Sequence, residues 1–519
     1  DRLPARGRPP ARRETTSSIR IGRTARVEPE KRLPSKSMSE PTAPPVLLTG
    51  TTGYVGGYLL ESLRAAGRPV RCITRRPRAL ARYEGDGVEV VEADVMDREA
   101  IVRAMTGAKT AVYLVHSMAR LSGYRELDRQ LASSFASAAK AAGITRIVYL
   151  GGLGSGKELS THLASRHEVG RVLGETGVPV VELRASVVLG PGSLAWEMVR
   201  ALVDRLPAMV TPRWVDTPTQ PIALHDVIAY LRAAIDAPPE VEGTFEIGGG
   251  DVVSYGQIMR EYARRRGIRR AMIRVPVLTP YLSSLWLGLV TPAHAHVGRE
   301  LVAGLRTPTV VTDDRARRVF PDVRPMGLAD AIERALDRED LEFAEMRWEE
   351  ALRIADRDGS YGGVRYGSRL VDSRSVDVAA PPADAFAPIR RIGGRRGWYY
   401  ADALWRLRGA LDVAVGGVGM RRGRADPEVL APGDELDWWR VESFEPDHLL
   451  RLRAEMKVPG RAWLQFEVTP REGGSRITQT AIFDPVGLVG NAYWYALWPL
   501  HQVVFGGLIR KLGEAAERP

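Results

Sequence analysis

The chain has 519 residues, 44% of them hydrophobic and 26% charged, the balance of an ordinary globular protein long enough for two or three domains. Its single cysteine, Cys72, excludes an intrachain disulfide and a cysteine-based zinc cluster; no metal site is expected, and a cytoplasmic location is the simple reading. The net charge is +11, but 7 of those charges lie in residues 1–37, so the rest of the chain holds +4 and no nucleic-acid partner is expected.

Residues 1–37 carry 11 Lys/Arg against Asp1, Glu14, Glu28 and Glu30. The segment is rich in Pro, Ser and Arg and has no apolar periodicity, so it cannot bury enough surface to fold. It also lacks the apolar core of a secretory signal peptide. A nucleic-acid or membrane tail is one reading. The preferred one is a disordered basic arm upstream of a natural start at Met38.

The fold begins with the apolar run Pro45-Val46-Leu47-Leu48, a short buried strand. It leads into Thr49 to Gly56, TGTTGYVG, with Gly50, Gly53 and Gly56 at three-residue spacing. An amphipathic helix follows, with Val55, Leu59, Leu60 and Leu63 on one side. The turn needs backbone angles closed to other residues, and a bulky side chain would hold a pyrophosphate off the backbone. The N–H groups of Thr52, Gly53, Tyr54, Val55 and Gly56 are thus the predicted anion cradle, aided by the helix dipole. Strand, turn and helix in that order raise the pattern above a lone glycine match.

Further strands are predicted at Val70–Thr74, Val88–Val91, Ala111–Val115, Ile147–Leu150 and Val178–Leu183, with a long helix carrying Leu127, Leu131, Phe135 and Ala138. Alternating strands and helices imply right-handed crossovers and a doubly wound parallel sheet, an α/β fold. Ligands of such sheets bind beyond the carboxyl ends of the strands. That places Leu114, Val115, Gly151 and Gly152 beside a dinucleotide, and Asp94-Val95 near its adenine. The second strand ends in Arg75-Arg76, where an acidic residue would favour NAD. Guanidinium groups there suit a 2′-phosphate, so NADP(H) is the expected cofactor.

No run of 18 uninterrupted apolar residues exists. Val275 to Val290 is broken by Pro276, Pro280 and two serines, and Val486 to Ile509 by Asn491, Pro499, His501 and Gln502. Both are predicted to be buried or interfacial rather than spanning; contact with a membrane surface stays open.

TGTTGYVG, Asp94-Val95, LRAS at Leu183 to Ser186, ALHDV at Ala223 to Val227 and TFEIGGGDVVSYGQI at Thr244 to Ile258 together resemble the atypical, extended short-chain dehydrogenase/reductases. The resemblance covers about residues 38–335 and implies an NAD(P)H-binding domain over 38–336. Hydride-transferring members generally carry Tyr-x-x-x-Lys on the helix after the fifth strand. Counting back from Glu175-Thr176-Gly177, those positions fall on His162 and Arg166, and the serine expected after the fifth strand falls on Gly151 or Gly152. The usual triad is therefore absent. His162 and His116 are candidate proton donors, since imidazole titrates near neutrality, and Arg166 keeps a positive charge for ribose or phosphate. Either histidine can equally be structural.

Residues 337–367 are charged, then Gly-rich, and are predicted to be a linker. Beyond residue 370 lie seven of the 11 tryptophans. Strands are predicted at Asp437–Phe444, Leu449–Lys457, Ala462–Thr469 and Ser475–Phe483, closed by a helix over Gly490–Ala516. This α+β pattern, a curved antiparallel sheet gripping a C-terminal helix, resembles the START/polyketide-cyclase helix-grip architecture. More closely, 368–519 resembles an uncharacterised domain fused behind such reductases. The matching stretches are RRIGGRRGWYYADALWRLRG at Arg390 to Gly409, GDELDWWRVE at Gly433 to Glu442 and MKVPGRAWLQFEV at Met456 to Val468. Trp438, Trp463 and Trp494 either line a ligand cavity or form a tryptophan-rich core. Arg421-Arg422-Gly423-Arg424 either binds an anion or is a solvated loop.

The resulting expectation is an NADP(H)-binding oxidoreductase-like protein acting on a small hydrophobic substrate of enone, quinone or polyketide type. The alternatives are a non-catalytic NADP(H) redox sensor and a binder of lipid or another hydrophobic ligand.

Overall fold

The computed structural model describes residues 43–518, apart from 86, 117–123, 155–158, 206–207, 212, 275–306, 346–361, 367–368, 421–422, 425 and 427. The basic arm, the stretch Val275 to Val290, most of the Gly-rich linker and Arg421-Arg422 lie outside the described residues.

Seven strands form the first sheet: β1 (Val46–Thr49), β2 (Val70–Thr74), β3 (Val88–Glu92), β4 (Thr110–Tyr113), β5 (Arg146–Gly152), β6 (Val180–Ala185) and β7 (Gly243–Ile247). Their order is β7-β6-β5-β4-β1-β2-β3, and every pairing is parallel. Leu48 of β1 stands opposite Cys72 on one side and Val112 on the other. The strand order reverses between β1 and β4, and there the crevice of a doubly wound sheet opens.

Helices α1 (Tyr54–Ala65), α2 (Arg98–Met105), α3 (Tyr124–Ala141), α4 (Thr161–Gly174), α5 (Leu194–Arg205), α6 (Leu224–Asp236), α7 (Tyr255–Arg265) and α8 (Leu328–Glu345) accompany this sheet. Alternate residues of the strands feed two cores. Leu48, Cys72 and Val112 pack with Leu59, Leu60 and Leu63 of α1; Leu47, Ile73 and Tyr113 pack with Leu131 and Phe135 of α3. The strands are apolar on both faces because helices cover both.

Two boundaries differ from expectation for visible reasons. β6 begins two residues later than predicted, because Gly177 turns the chain with φ +79° and Pro179 has no N–H to give the ladder. The segment expected to begin the linker is still helical, since α8 runs to Glu345.

The second sheet is antiparallel throughout. Its strands are β8 (Val364–Tyr366), β9 (Arg369–Val378), β10 (Glu435–Leu436), β11 (Trp439–Glu445), β12 (Leu449–Ala454), β13 (Gly460–Arg471) and β14 (Gly474–Pro485), in the order β8-β9-β14-β13-β12-β11-β10. Sequence periodicity missed β9, whose ten residues pair along β14. Three further helices, α9 (Pro382–Arg390), α10 (Asp402–Ala414) and α11 (Gly487–Ala516), complete this part. Val504, Phe505, Leu508 and Leu512 of α11 pack on Leu464, Phe466 and Ile477 of the sheet. All seven C-terminal tryptophans are buried. Trp398 stacks on Trp405 at 4.5 Å, Trp405 on Trp438 at 5.7 Å and Trp494 on Phe483 at 5.7 Å, so they fill a core.

A buried ion network joins the two parts. Asp484 of β14 accepts from Arg461 of β13 at 2.8 Å and from Arg266, just after α7, at 3.4 Å. Asp340 of α8 accepts from Arg461 at 2.6 Å and from Arg369 of β9 at 3.0 Å. Arg200 of α5 pairs with Glu339 of α8 and, at 2.8 Å, with Glu197.

Candidate active site

The glycine turn lies at the β1/β4 switch point. Gly50 has φ +72°, and a Cβ there would stand 2.6 Å from the Leu114 carbonyl oxygen. Gly56, in the first turn of α1, comes closer still: its Cβ would meet Gly50 O at 2.2 Å. Both glycines are therefore required by packing alone. Gly53 differs. It is exposed and extended (φ −90°, ψ 169°), and a Cβ would meet only Gly50 O, at 3.1 Å. At Gly53 the helix N-terminus thus carries no side chain that would hold a pyrophosphate off the backbone, although the Gly53 N–H itself is given to Gly50 O at 2.9 Å. Half-buried Val55 packs into the α1 core, and the ring of Tyr54 packs along Gly190 and Gly192. The Thr49 hydroxyl ties β1 to β4, donating to Val112 O at 3.0 Å and accepting from Leu114 N at 3.3 Å.

Arg75 and Arg76 are exposed just beyond β2. Arg75 approaches the Asp94 carboxylate at 3.8 Å, and Arg76 N donates to Thr74 Oγ1 at 3.0 Å. Asp94 caps its own turn, accepting from Met96 N at 2.9 Å, while Val95 is buried. Arg75, Arg76 and Asp94 share one edge; Leu114, Val115 and His116 lie across the crevice, beyond β4.

His116, His162 and Arg166 lie together at the ends of β4 and β5. The imidazole rings of His116 and His162 are 5.2 Å apart. A carboxylate that sequence reasoning missed completes the group: His116 Nδ1 is 3.1 Å from Asp128 Oδ2, and Asp128 is 2% exposed. The signal was present, since Asp128 falls within the apolar stripe of α3 formed by Leu131, Ala132 and Phe135. A carboxylate only accepts, so Nδ1 of His116 carries the proton and its Nε2 is left with a lone pair. Burial lowers the His116 pKa, against the opposing pull of Asp128. Burial, then the charges of His116 and Arg166, push His162 down to about 3. Neutral pH therefore finds both rings uncharged. His162 Nδ1 is buried with no hydrogen-bond partner among the described residues.

Arg166 donates to Leu150 O, and its guanidinium lies 5.0 Å over the Tyr149 ring. The absent serine also has a physical cause. A Cβ on Gly151 would stand 2.9 Å from Glu182 Oε1, and one on Gly152 would stand 2.8 Å from Leu163 Cδ2. Glu182 is buried and held by Arg184 at 2.9 Å and Thr244 at 3.0 Å, so Gly151 makes room for an ion pair.

Residues 50–201 match the family model described as NAD(P)H-binding, and residues 365–508 match that of a protein of unknown function, DUF2867. The chain is 29% identical over 224 residues to the (4-alkanoyl-5-oxo-2,5-dihydrofuran-3-yl)methyl phosphate reductase of Streptomyces griseus subsp. griseus, covering 43% of this chain and 74% of that protein. It is 28% identical over 279 residues to the ceramide reductase of Caulobacter vibrioides, covering 51% and 86%. Among solved structures, the NADPH-dependent quinone oxidoreductase of Escherichia coli superposes with a TM-score of 0.46 at 18% identity, over 56% of this chain and 99% of that one. Fold and match together define a protein with an NAD(P)H-binding domain. It is reductase-like, with a second, antiparallel unit behind the nucleotide-binding one. Among the described residues no helix is long and apolar enough to cross a membrane.

Proposed function

We propose that the protein is an NADPH-dependent reductase of conjugated, enone- or quinone-like hydrophobic compounds, with its second unit, helix-grip-like in outline, holding or delivering the substrate. One observation carries this reading: where a tyrosine acid would stand there is an uncharged His162, beside a His116 oriented by Asp128. Simple ketone reduction needs a strong donor at the developing alkoxide. Conjugate reduction does not. When bound, the nicotinamide supplies hydride to the β-carbon, which leaves an enolate and NADP⁺. A proton from solvent then completes the α-carbon, since His116 Nε2 carries a lone pair and no proton to give. The helix N-terminus at Gly53, free of a side chain, fits the pyrophosphate, and Arg75 and Arg76 fit the 2′-phosphate. The names of two similar proteins, both reductases, support the class.

The test is NADPH oxidation over a panel of enones, quinones, ketones and aldehydes. The expected outcome is turnover confined to the conjugated compounds, with His162→Phe slowing it by less than the roughly 10²–10⁴-fold of removing an essential acid. Fast reduction of a plain ketone, abolished by His162→Phe, would make His162 the acid and overturn the reading. A second reading, a redox sensor that binds NADP(H) without turnover, rests on the missing Tyr-x-x-x-Lys pair, whose positions hold His162 and Arg166. NADPH binding with no oxidation across the panel would select it.

A further inference from the structure

A cavity of about 390 Å³ lies between α1, α6, α8 and the loop after β6, and one of its lining residues, Gly190, packs against Tyr54 of the glycine turn. Its wall on α1 begins at Tyr58 and runs through Glu61 to Ala65. Glu61 is about 12 Å along the helix axis from Gly53. Leu189, Pro191, Leu224, Ile228, Ala331 and Ala335 make the apolar lining. The size falls within the roughly 300–1,000 Å³ of small-molecule sites.

The polar lining comes from α1, α6 and α8. Arg338 is neutralised by Glu61 at 3.0 Å and rests over the Tyr58 ring at 5.3 Å. Glu61 also accepts from the Tyr83 hydroxyl at 3.0 Å. Arg334 is different. Its Nη2 donates to His225 Nδ1 at 3.1 Å, and no carboxylate lies within ion-pair distance of it among the described residues. Burial and the Arg334 charge keep His225 uncharged. At its exposed rim the apolar cavity thus carries a guanidinium with no ion pair among the described residues, the Asp226 carboxylate acting on it only at longer range.

We propose that this cavity is a second ligand site, distinct from the dinucleotide cleft, for a small amphipathic carboxylate whose head meets Arg334 and whose apolar body fills the space between α6 and α8. A carboxylate matches a single guanidinium in charge and in its two-pronged geometry. A phosphate dianion would bring an extra negative charge beside Glu61, and a neutral amphiphile would gain nothing from the Arg334 charge.

The experiment titrates octanoate, 1-octanol and octyl phosphate calorimetrically into the full chain saturated with NADPH. Octanoate should bind once per chain without displacing NADPH, and 1-octanol should bind roughly 10-fold or more weakly. Arg334→Met should weaken octanoate by about the same factor, while Arg334→Lys, which keeps the charge and loses the two-pronged match, should fall between Met and the wild type. Arg334 is exposed, so both variants should melt with the wild type. No saturation by octanoate, equal binding of 1-octanol, tighter binding of octyl phosphate, an unaffected Arg334→Met, or competition with NADPH would each overturn the assignment.

Discussion

Three glycines at equal spacing have unequal duties. Gly56→Val would drive a side chain into the Gly50 carbonyl, which a Cβ alone already approaches to 2.2 Å. It should cost roughly 1–3 kcal/mol or more, read as a lower denaturation midpoint. Gly53→Val should lower the melting temperature far less than Gly56→Val, since its Cβ meets only Gly50 O and at 3.1 Å rather than 2.2 Å, and it should abolish NADPH binding by occupying the space of the pyrophosphate. A Gly53→Val protein that binds NADPH normally would place the phosphates elsewhere. On the far edge, Arg75→Ala/Arg76→Ala should weaken NADPH roughly 10- to 100-fold and leave NADH nearly unaffected, since one charge-assisted hydrogen bond contributes about 1.5–3 kcal/mol. Equal wild-type affinities for the two cofactors, measured by fluorescence titration, would remove the arginines from that role. These residues were legible in the sequence because their constraints are local: a turn angle, a close approach, a strand end. Asp128 was not. Its partner His116 meets it only through the packing of α3 against β4, and no spacing rule links the two.

Elements show the same division. β1 and α1 announced themselves by apolar runs of the right length. β9 did not, because Arg369, Asp372 and Ser373 interrupt its alternation; Asp372 is nonetheless buried and tied to Arg374 at 2.8 Å. Buried polar pairs erase the pattern that periodicity depends on. α11 carries a comparable burden. His501 lies among Trp494 at 4.7 Å and Phe505 at 4.4 Å, with its Nδ1 unpaired among the described residues. Burial pushes its pKa down to about 3, as it does for His162. The unfolded chain takes up protons on these histidines near pH 6.5, whereas the folded one refuses them until about pH 3. Stability from this source is therefore complete above about pH 6.5 and is lost as the pH falls, by an amount on the order of 4 kcal/mol per histidine at pH 3. His501→Leu should leave the neutral-pH melting temperature unchanged or higher and move the acid-unfolding midpoint down. A variant with the wild-type acid midpoint would show that the ring is protonated in the fold.

At the scale of the molecule, the two sheets are joined by charge as well as by chain. Burial raises the Asp484 pKa, but Arg266, Arg461 and Arg369 outweigh it and hold the carboxyl well below its usual range. Asp484→Ala would leave those three guanidinium groups without their shared buried anion. The expected cost is about 3–5 kcal/mol, seen in chemical denaturation, against the near-zero effect of removing an exposed acid such as Glu99. A loss below 1 kcal/mol would mean that water enters the cluster.

One helix carries this arrangement further. On α8, Arg338 grips Glu61 of the nucleotide-binding helix, and two residues on Asp340 grips Arg369 and Arg461 of the second sheet. Neighbouring side chains on a stiff rod thus clamp both halves, so neither can swing without dragging or breaking the other. Amides in the middle of α8 should accordingly be among the slowest in the chain to exchange with deuterium, opening only when the entire fold opens.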